Sequence, residues 1–172
     1  MGRGVKLSLL AGLAVVVFVT GAIFFVPPQR ALSAAIMRDC IHVVKDKARV
    51  AGGVSVFSVV AIQPDPNKRK LEDFNRATQA SIERGAMIPS EPSVLLELES
   101  GQGAGKALCT YHANLWTASG TYSDVSIKEV QIGLSSLSEL DMALMKRFDV
   151  GRLDRVLSLI PIFGSVQKFY LD

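Results

Sequence analysis

The chain has 172 residues, 49% of them hydrophobic, and nineteen Lys and Arg against sixteen Asp and Glu give it a net charge of +3. Arg3, Lys6 and Arg30 carry that whole excess, so residues 31–172 balance to zero. A neutral domain lacks the basic footprint of a nucleic-acid binder, which excludes nucleic acid as a partner.

No charged residue falls between Leu7 and Val26, where LLAGLAVVVFVTGAIFFV is nearly all apolar. A helix of about twenty such residues spans about 30 Å, the thickness of a bilayer's hydrocarbon core. Pro27-Pro28 then ends it. The run exceeds the h-region of a signal peptide, and the small-residue cleavage positions around Ala31–Ala35 lie past its end. The expectation is an uncleaved signal-anchor, with residues 1–6 cytoplasmic, 7–26 transmembrane and 31–172 an extracytoplasmic domain, as Arg3 and Lys6 direct by the positive-inside rule. A bacterial periplasm is the expected compartment, and the mitochondrial inner membrane is the alternative. Cleavage would instead yield a secreted soluble protein.

Residues 31–47, ALSAAIMRDCIHVVKDK, read as an amphipathic helix with Leu32, Ile36, Cys40 and Val43/Val44 on one side and Arg38, His42, Lys45 and Asp46 on the other. Gly52-Gly53 breaks it. VSVFSVVAI (54–62) is β-branched and apolar on both faces, as in a central strand. The basic run Lys68-Arg69-Lys70 reads as a solvated turn. Residues 70–84 predict a weaker helix stopped by Gly85, and MIPSEPS a loop. Strands follow over 93–100, 106–116 and 122–132, the last with a phase slip at Lys128-Glu129 that predicts a β-bulge. Ser136-x-x-Glu139 reads as a capping box opening a helix with stripe Leu137, Leu140, Leu144 and Phe148. Gly151 ends that helix, a short one follows over 152–160, and the tail is apolar enough to dock. The predicted fold is α+β in the order α-β-α-β-β-β-α-α. An N-terminal transmembrane helix precedes a three- to four-stranded, mainly antiparallel sheet packed by helices.

The segment SGQGAGKALCTYH resembles a phosphate-binding loop through Gly101, Gly103, Gly105 and Lys106. A P-loop needs an opening glycine and a closing Ser or Thr, and here those positions are Ser100 and Ala107. It also needs a helix next, whereas Ala107, Cys109, Tyr111 and Ala113 alternate with polar residues as a strand does. The glycines therefore predict a hairpin turn. Trp116 and Tyr122 flank the next turn and read as caps on the sheet edge.

Cys40-x-His42 and Cys109-x-x-His112 supply the residue types of a zinc site. Each cysteine falls on the apolar side of its element and each histidine on the opposite side, so no metal or other cofactor is expected. Two cysteines on facing core surfaces of a helix and a strand instead predict a Cys40–Cys109 disulfide, given an oxidising compartment. Glu97 and Glu99 alternate outward as a solvated face. The chain has no G-x-S-x-G elbow.

The stretch SVLLELESGQGAGKALCTYHANLW…YSDVSIKEVQI, within residues 93–132, resembles the hairpin of single-pass anchored domains among cytochrome oxidase assembly factors and inner-membrane translocase subunits. The shared features are the glycine-spaced turn, the following strand and a tryptophan before the next strand, whereas the helices differ. The resemblance implies an assembly or scaffolding role. The expected function is a non-enzymatic accessory domain that binds or stabilises a membrane protein complex. A domain holding a small apolar molecule or lipid is the alternative, and an enzyme using Cys109 with His112 or His42 is a further one.

Overall fold

Two helices open the chain and meet at Pro27. The computed structural model describes residues 3–48, 54–62, 69–100, 103–138, 141–142, 144–159 and 166–169. Helix α1 (Arg3–Phe25) runs 23 residues. Helix α2 (Pro28–Ala48) starts after one intervening residue pair, with Pro28 at the first helical position, where its missing N–H costs nothing. Among the described residues no helix is long and apolar enough to cross a membrane, and the span expected over residues 7–26 gains no support from them. In α1 the described side chains are those of residues 11–18, 20, 21, 24 and 25. Its large apolar members stand exposed, from 58% at Phe18 to 87% at Phe25.

Helix α2 lies across one face of a sheet. Its stripe of Leu32, Ile36, Cys40 and Val44 is fully buried, as the i, i+4 spacing predicts, and Ala31, Ala35 and Met37 widen it. The sheet holds eight strands among the described residues, in the order β6-β5-β4-β3-β1-β8. These are β1 (Val54–Ile62), β3 (Ser93–Ser100), β4 (Gly103–Trp116), β5 (Thr121–Ile132), β6 (Ser135–Ser136) and β8 (Val166–Phe169). Strand β2 (Met87–Ser90) pairs with β4, and β7 (Phe148–Val150) pairs with β5. All pairings are antiparallel except β1 with β8. Residues 166–169 of the tail thus form a parallel edge strand, and the apolar β1 lies between β3 and β8. Opposite α2, the sheet contributes Val59, Val94, Leu96, Ala107, Cys109, Tyr111, Ala113, Val125 and Val130 to one core. Fully burying a side chain the size of Leu or Ile stabilises by about 1.5–3 kcal/mol, and this single layer of contact holds α2 down.

The α+β class stands, and the sheet is larger than expected. MIPS is strand β2, not loop, and it fills the ladder positions on β4 that β3 does not reach. Met87 lies opposite Trp116 and Ser90 opposite Ala113, while Ser93 begins the β3 ladder opposite Thr110. Glu91-Pro92 forms the break between them. The bulge in β5 falls where the phase slips, because Thr110 pairs with Glu129 and Tyr111 with Ile127, leaving Lys128 extra.

Two helix expectations need correction. Residues 70–84 split into a 3-10 turn (Leu71–Asp73) and α3 (Arg76–Glu83), because Asn75 caps α3 by accepting from the Thr78 amide at 3.0 Å. Gly85 does end it, at φ +68. The expected helix neither opens at Ser136 nor extends to Phe148. Ser136 pairs in β6 opposite Gln131, and Ser138, two residues later, accepts from the Asp141 amide to cap a helical stretch whose described residues are Asp141 and Met142. Phe148 then joins β7 opposite Val125, where strand pairing satisfies backbone groups that a lone helix end would leave to water. Gly151 is followed by α4 (Arg152–Leu157).

Cys40 and Cys109 form a disulfide, with their Cα atoms 5.9 Å apart and 69 residues of separation. Closing a loop of this length removes about 4 kcal/mol of unfolded-state entropy in the chain-entropy model. Reduction, or Cys40→Ala with Cys109→Ala, is expected to lower stability by about 2–4 kcal/mol, read as a fall in the urea midpoint. Gly120 supplies a second test. Its φ is +61, and a Cβ there would run into the Arg155 guanidinium. Gly120→Ala is expected to cost about 1–3 kcal/mol by the same measurement, and a neutral result would contradict the packing of α4 on this turn.

Candidate functional site

The Tyr111 side chain is fully buried under α2, and a buried hydroxyl needs a partner. It finds two on α2, at 2.9 Å from Asp39 Oδ2 and 3.2 Å from the Ile36 carbonyl oxygen, both of which accept from it. The disulfide makes this meeting geometric. Cys109 and Tyr111 share the inner face of β4, and Asp39 precedes Cys40 on α2, so bonding the two sulfurs brings the next pair together. Burial raises the Tyr111 pKa, with the Asp39 carboxylate adding to it, so the hydroxyl stays a donor.

Asp39 opens onto a trough between α2 and the segment that runs from Asp141 to α4. One part, of about 390 Å³, is lined by Ala35, Arg38, Asp39, His42, Phe148 and Asp154 among others. The adjoining part, of about 290 Å³, shares Asp39, His42 and Lys146 and continues to Lys47, Asp141 and Leu144. Several of its acids hold the walls. Lys47 Nζ donates to Asp141 Oδ1 at 2.7 Å, the Gly151 amide donates to Asp154 Oδ2 at 2.7 Å, and the Asp124 amide donates to Asp149 Oδ1 at 3.0 Å. That last bond supports Asp124 in the left-handed region, at φ 51. Arg38, His42 and Lys146 bring cationic or titratable groups to the same opening. Burial pushes the Asp39 carboxyl above its usual range, and the Tyr111 hydroxyl and His42 pull it partly back.

A second polar cluster lies on the opposite sheet face. Glu91, at the β2–β3 break, accepts from Lys128 Nζ at 2.8 Å and lies 3.2 Å from His112 Nε2. Lys128 is the bulge residue, so the bulge turns its side chain toward the break. Although burial opposes it, the Lys128 ammonium and His112 hold the Glu91 carboxyl below its usual range. Burial and the Arg69 guanidinium hold the His112 imidazole below its own. Arg69 donates to Asn114 Oδ1 at 3.0 Å and sits 4.3 Å over the Phe74 ring. It is therefore partly buried, where a solvated turn was expected. Lys68 lies outside the described residues.

The Cys40–Cys109 bond occupies both thiols, which removes the Cys109 nucleophile, and His112 lies on the far face from Cys109. Among the described residues no group of His, Cys, Asp and Glu has the arrangement of a metal site. Gly103 and Gly105 lie in β4 opposite Ser100 and Leu98, and Gly101 lies outside the described residues. Lys106 pairs opposite Glu97 in the ladder, with no helix following. Tyr122 is a core residue, 2% exposed, whereas Trp116 is 39% exposed on the other face and donates to Ser123 Oγ at 2.8 Å. Asp39 and the trough escape a reading of residue patterns alone. Their signal was the tyrosine on the apolar face of the disulfide strand, which requires an acceptor beside Cys40. No protein-family model, curated protein or solved structure matches the chain.

The raised Asp39 pKa has a definite sign. The native state keeps this proton to higher pH than the unfolded chain, so the contribution to stability is full below about 3.8 and is lost as pH rises through the folded value. Asp39→Asn keeps an acceptor for Tyr111 and removes the charge. The variant is expected to gain on the wild type as pH rises from about 3.8, measured as the difference in urea midpoints. Losses at acid pH from Glu91 and Asp141, whose carboxyls are held low, are common to both chains and cancel. A difference that shrinks with rising pH would contradict the assignment. Tyr111→Phe, which strips the half-buried carboxylate of its donor, is expected to cost about 1–3 kcal/mol at neutral pH.

Proposed function

We propose that this protein is a non-enzymatic, single-pass accessory subunit whose extracytoplasmic domain binds a membrane protein complex through the trough between α2 and residues 141–154. The observation that carries this reading is the Cys40–Cys109 disulfide on a helix that follows α1 without a linker. Structural disulfides belong to oxidising compartments, which supports a domain outside the cytoplasm. The anchor part of the reading comes from the sequence, in which no charged residue falls between Leu7 and Val26, a run that lies almost wholly within α1. At about 1.5 Å per residue the 23 residues of α1 are about 34 Å long, comparable to the thickness of a bilayer's hydrocarbon core. The periplasm is the preferred setting and the mitochondrial inner membrane the alternative.

The trough supports binding over chemistry. Its acids are engaged in holding the walls, and its cations face outward along an open channel suited to a polar polypeptide segment. The space between α2 and the sheet is occupied by Leu32, Ile36, Met37, Tyr111 and the disulfide, which favours this reading over a lipid carrier.

The test uses the full chain in membranes. It is expected to stay in the pellet through alkaline extraction, keep its full-length mass with neither cysteine alkylated without reductant, and co-purify with an integral membrane protein in mild detergent. His42→Glu with Lys146→Glu is expected to abolish that co-purification while leaving the disulfide intact. A soluble product lacking the first thirty or so residues would overturn the anchor. Undiminished co-purification of the double variant would remove the trough from the interface.

A further inference from the structure

Helix α4 packs beside both α1 and α2. Those two helices join at Val26-Pro27, and Val26 is buried while residues 11–18 of α1 are exposed. α4 therefore sits in the elbow between them, at the end of α1 where the apolar run stops. One side of α4 is fixed to the domain. Arg155 is buried, and its Nη2 donates to the Gly120 carbonyl oxygen at 2.5 Å in the β4–β5 turn. Asp154 is bonded to the Gly151 amide, which caps the helix. The opposite side carries Leu153 and Leu157, one helical turn apart, exposed at 68% and 44%. At the end of α1, Phe24 and Phe25 are 73% and 87% exposed, and Arg152, the first residue of α4, and Arg30, near the start of α2, are exposed as well.

We infer that Leu153 and Leu157 form a membrane-interfacial face that seats the domain on the lipid surface beside α1. This rests on the anchor reading above. The occupant follows from continuity, because an apolar pair on a helix packed against the proposed membrane-spanning helix, with Arg152 at its edge, meets the boundary between headgroups and acyl chains. Such faces bury about 5–10 Å into that boundary, and arginine at its rim binds anionic headgroups. The bond from Arg155 to Gly120 fixes the face's direction, so the domain meets the membrane in one orientation.

The test places a single tryptophan along the molecule. Trp116→Phe removes the only native one. In that background Leu153→Trp, Leu157→Trp, Phe18→Trp and Leu144→Trp are each reconstituted as full chains in vesicles of phosphatidylcholine and phosphatidylglycerol with brominated acyl chains. Retention of the disulfide by non-reducing mass confirms folding of each. Tryptophan at 153 and at 157 is expected to lose about half its emission or more to the bromines and to shift to the blue, as burial at the acyl boundary requires. At Leu144, which lines the far part of the trough with Lys47, emission is expected to be unchanged. Quenching at 18 without quenching at 153 and 157 would overturn the interfacial face and leave the anchor standing. No quenching at 18 would overturn the anchor, and the inference with it. Shielding of 153 and 157 from iodide without bromine quenching would assign the face to protein contact and likewise overturn it.

Discussion

The bond between Cys40 and Cys109 is the constraint on which the remaining geometry depends. A single helix laid on a sheet has one stripe of apolar contact, and such a stripe tolerates sliding by a turn, since Leu32, Ile36 and Val44 repeat with the helical period. The disulfide removes that freedom by tying one residue of α2 to one residue of β4. Once Cys40 lies over Cys109, Asp39 lies over Tyr111, the hydroxyl has its acceptor, and the polar side of α2 faces residues 141–154. The trough is thus a by-product of register. Its walls are then fixed by the bond from Lys47 on α2 to Asp141 and by the local cap from the Gly151 amide to Asp154.

The other face solves a different problem. Strands β2 and β3 pair in turn with β4, and the Glu91-Pro92 break between them interrupts a ladder that would otherwise be continuous. The Pro92 carbonyl still accepts from the Tyr111 amide at 2.9 Å, so the break leaves the central strand paired. Glu91 is held from two sides, by His112 on β4 and by the bulged Lys128 on β5. A bulge that looks like a defect of alternation in the sequence is what aims a cation at the break. This cluster is a brace: against burial, the Lys128 ammonium and His112 hold the Glu91 carboxyl down, while burial and the Arg69 guanidinium hold the His112 imidazole down.

Elements with a strong period were legible in the residues. The stripe on α2, the alternation of β3 and β4, the slip at Lys128 and the facing cysteines all follow from spacing, because burial on one side imposes the period directly. What was not legible had weak local signals overruled by pairing across the sheet. MIPSEPS, with two prolines, reads as loop, yet Met87 and Ser90 are buried opposite β4. The stripe ending in Phe148 has helical spacing, yet Phe148 serves a strand. Ser136 and Ser138 both precede an acid by three residues, and only tertiary pairing decides which of them caps. The trough was invisible for a related reason. Its residues come from α2 and from a segment whose helical spacing does not match its fold, so no spacing within either one joins Asp39 to Lys146.

On the anchored reading, these constraints also set a height. Asp39 stands about 16 Å along α2 from Pro28, at about 1.5 Å of rise per residue. With no linker at the elbow, the trough cannot swing toward or away from the bilayer as a tethered module would. The contact of α4 with both helices resists bending at Pro27, and the bond from Arg155 to Gly120 carries that resistance into the β4–β5 turn. The domain is then a rigid post that presents one polar channel at one distance from the lipid. Such rigidity serves binding to a partner embedded in the same membrane, because both surfaces are already confined to a plane and a fixed height removes a further degree of freedom from their encounter. A soluble partner would gain far less from it.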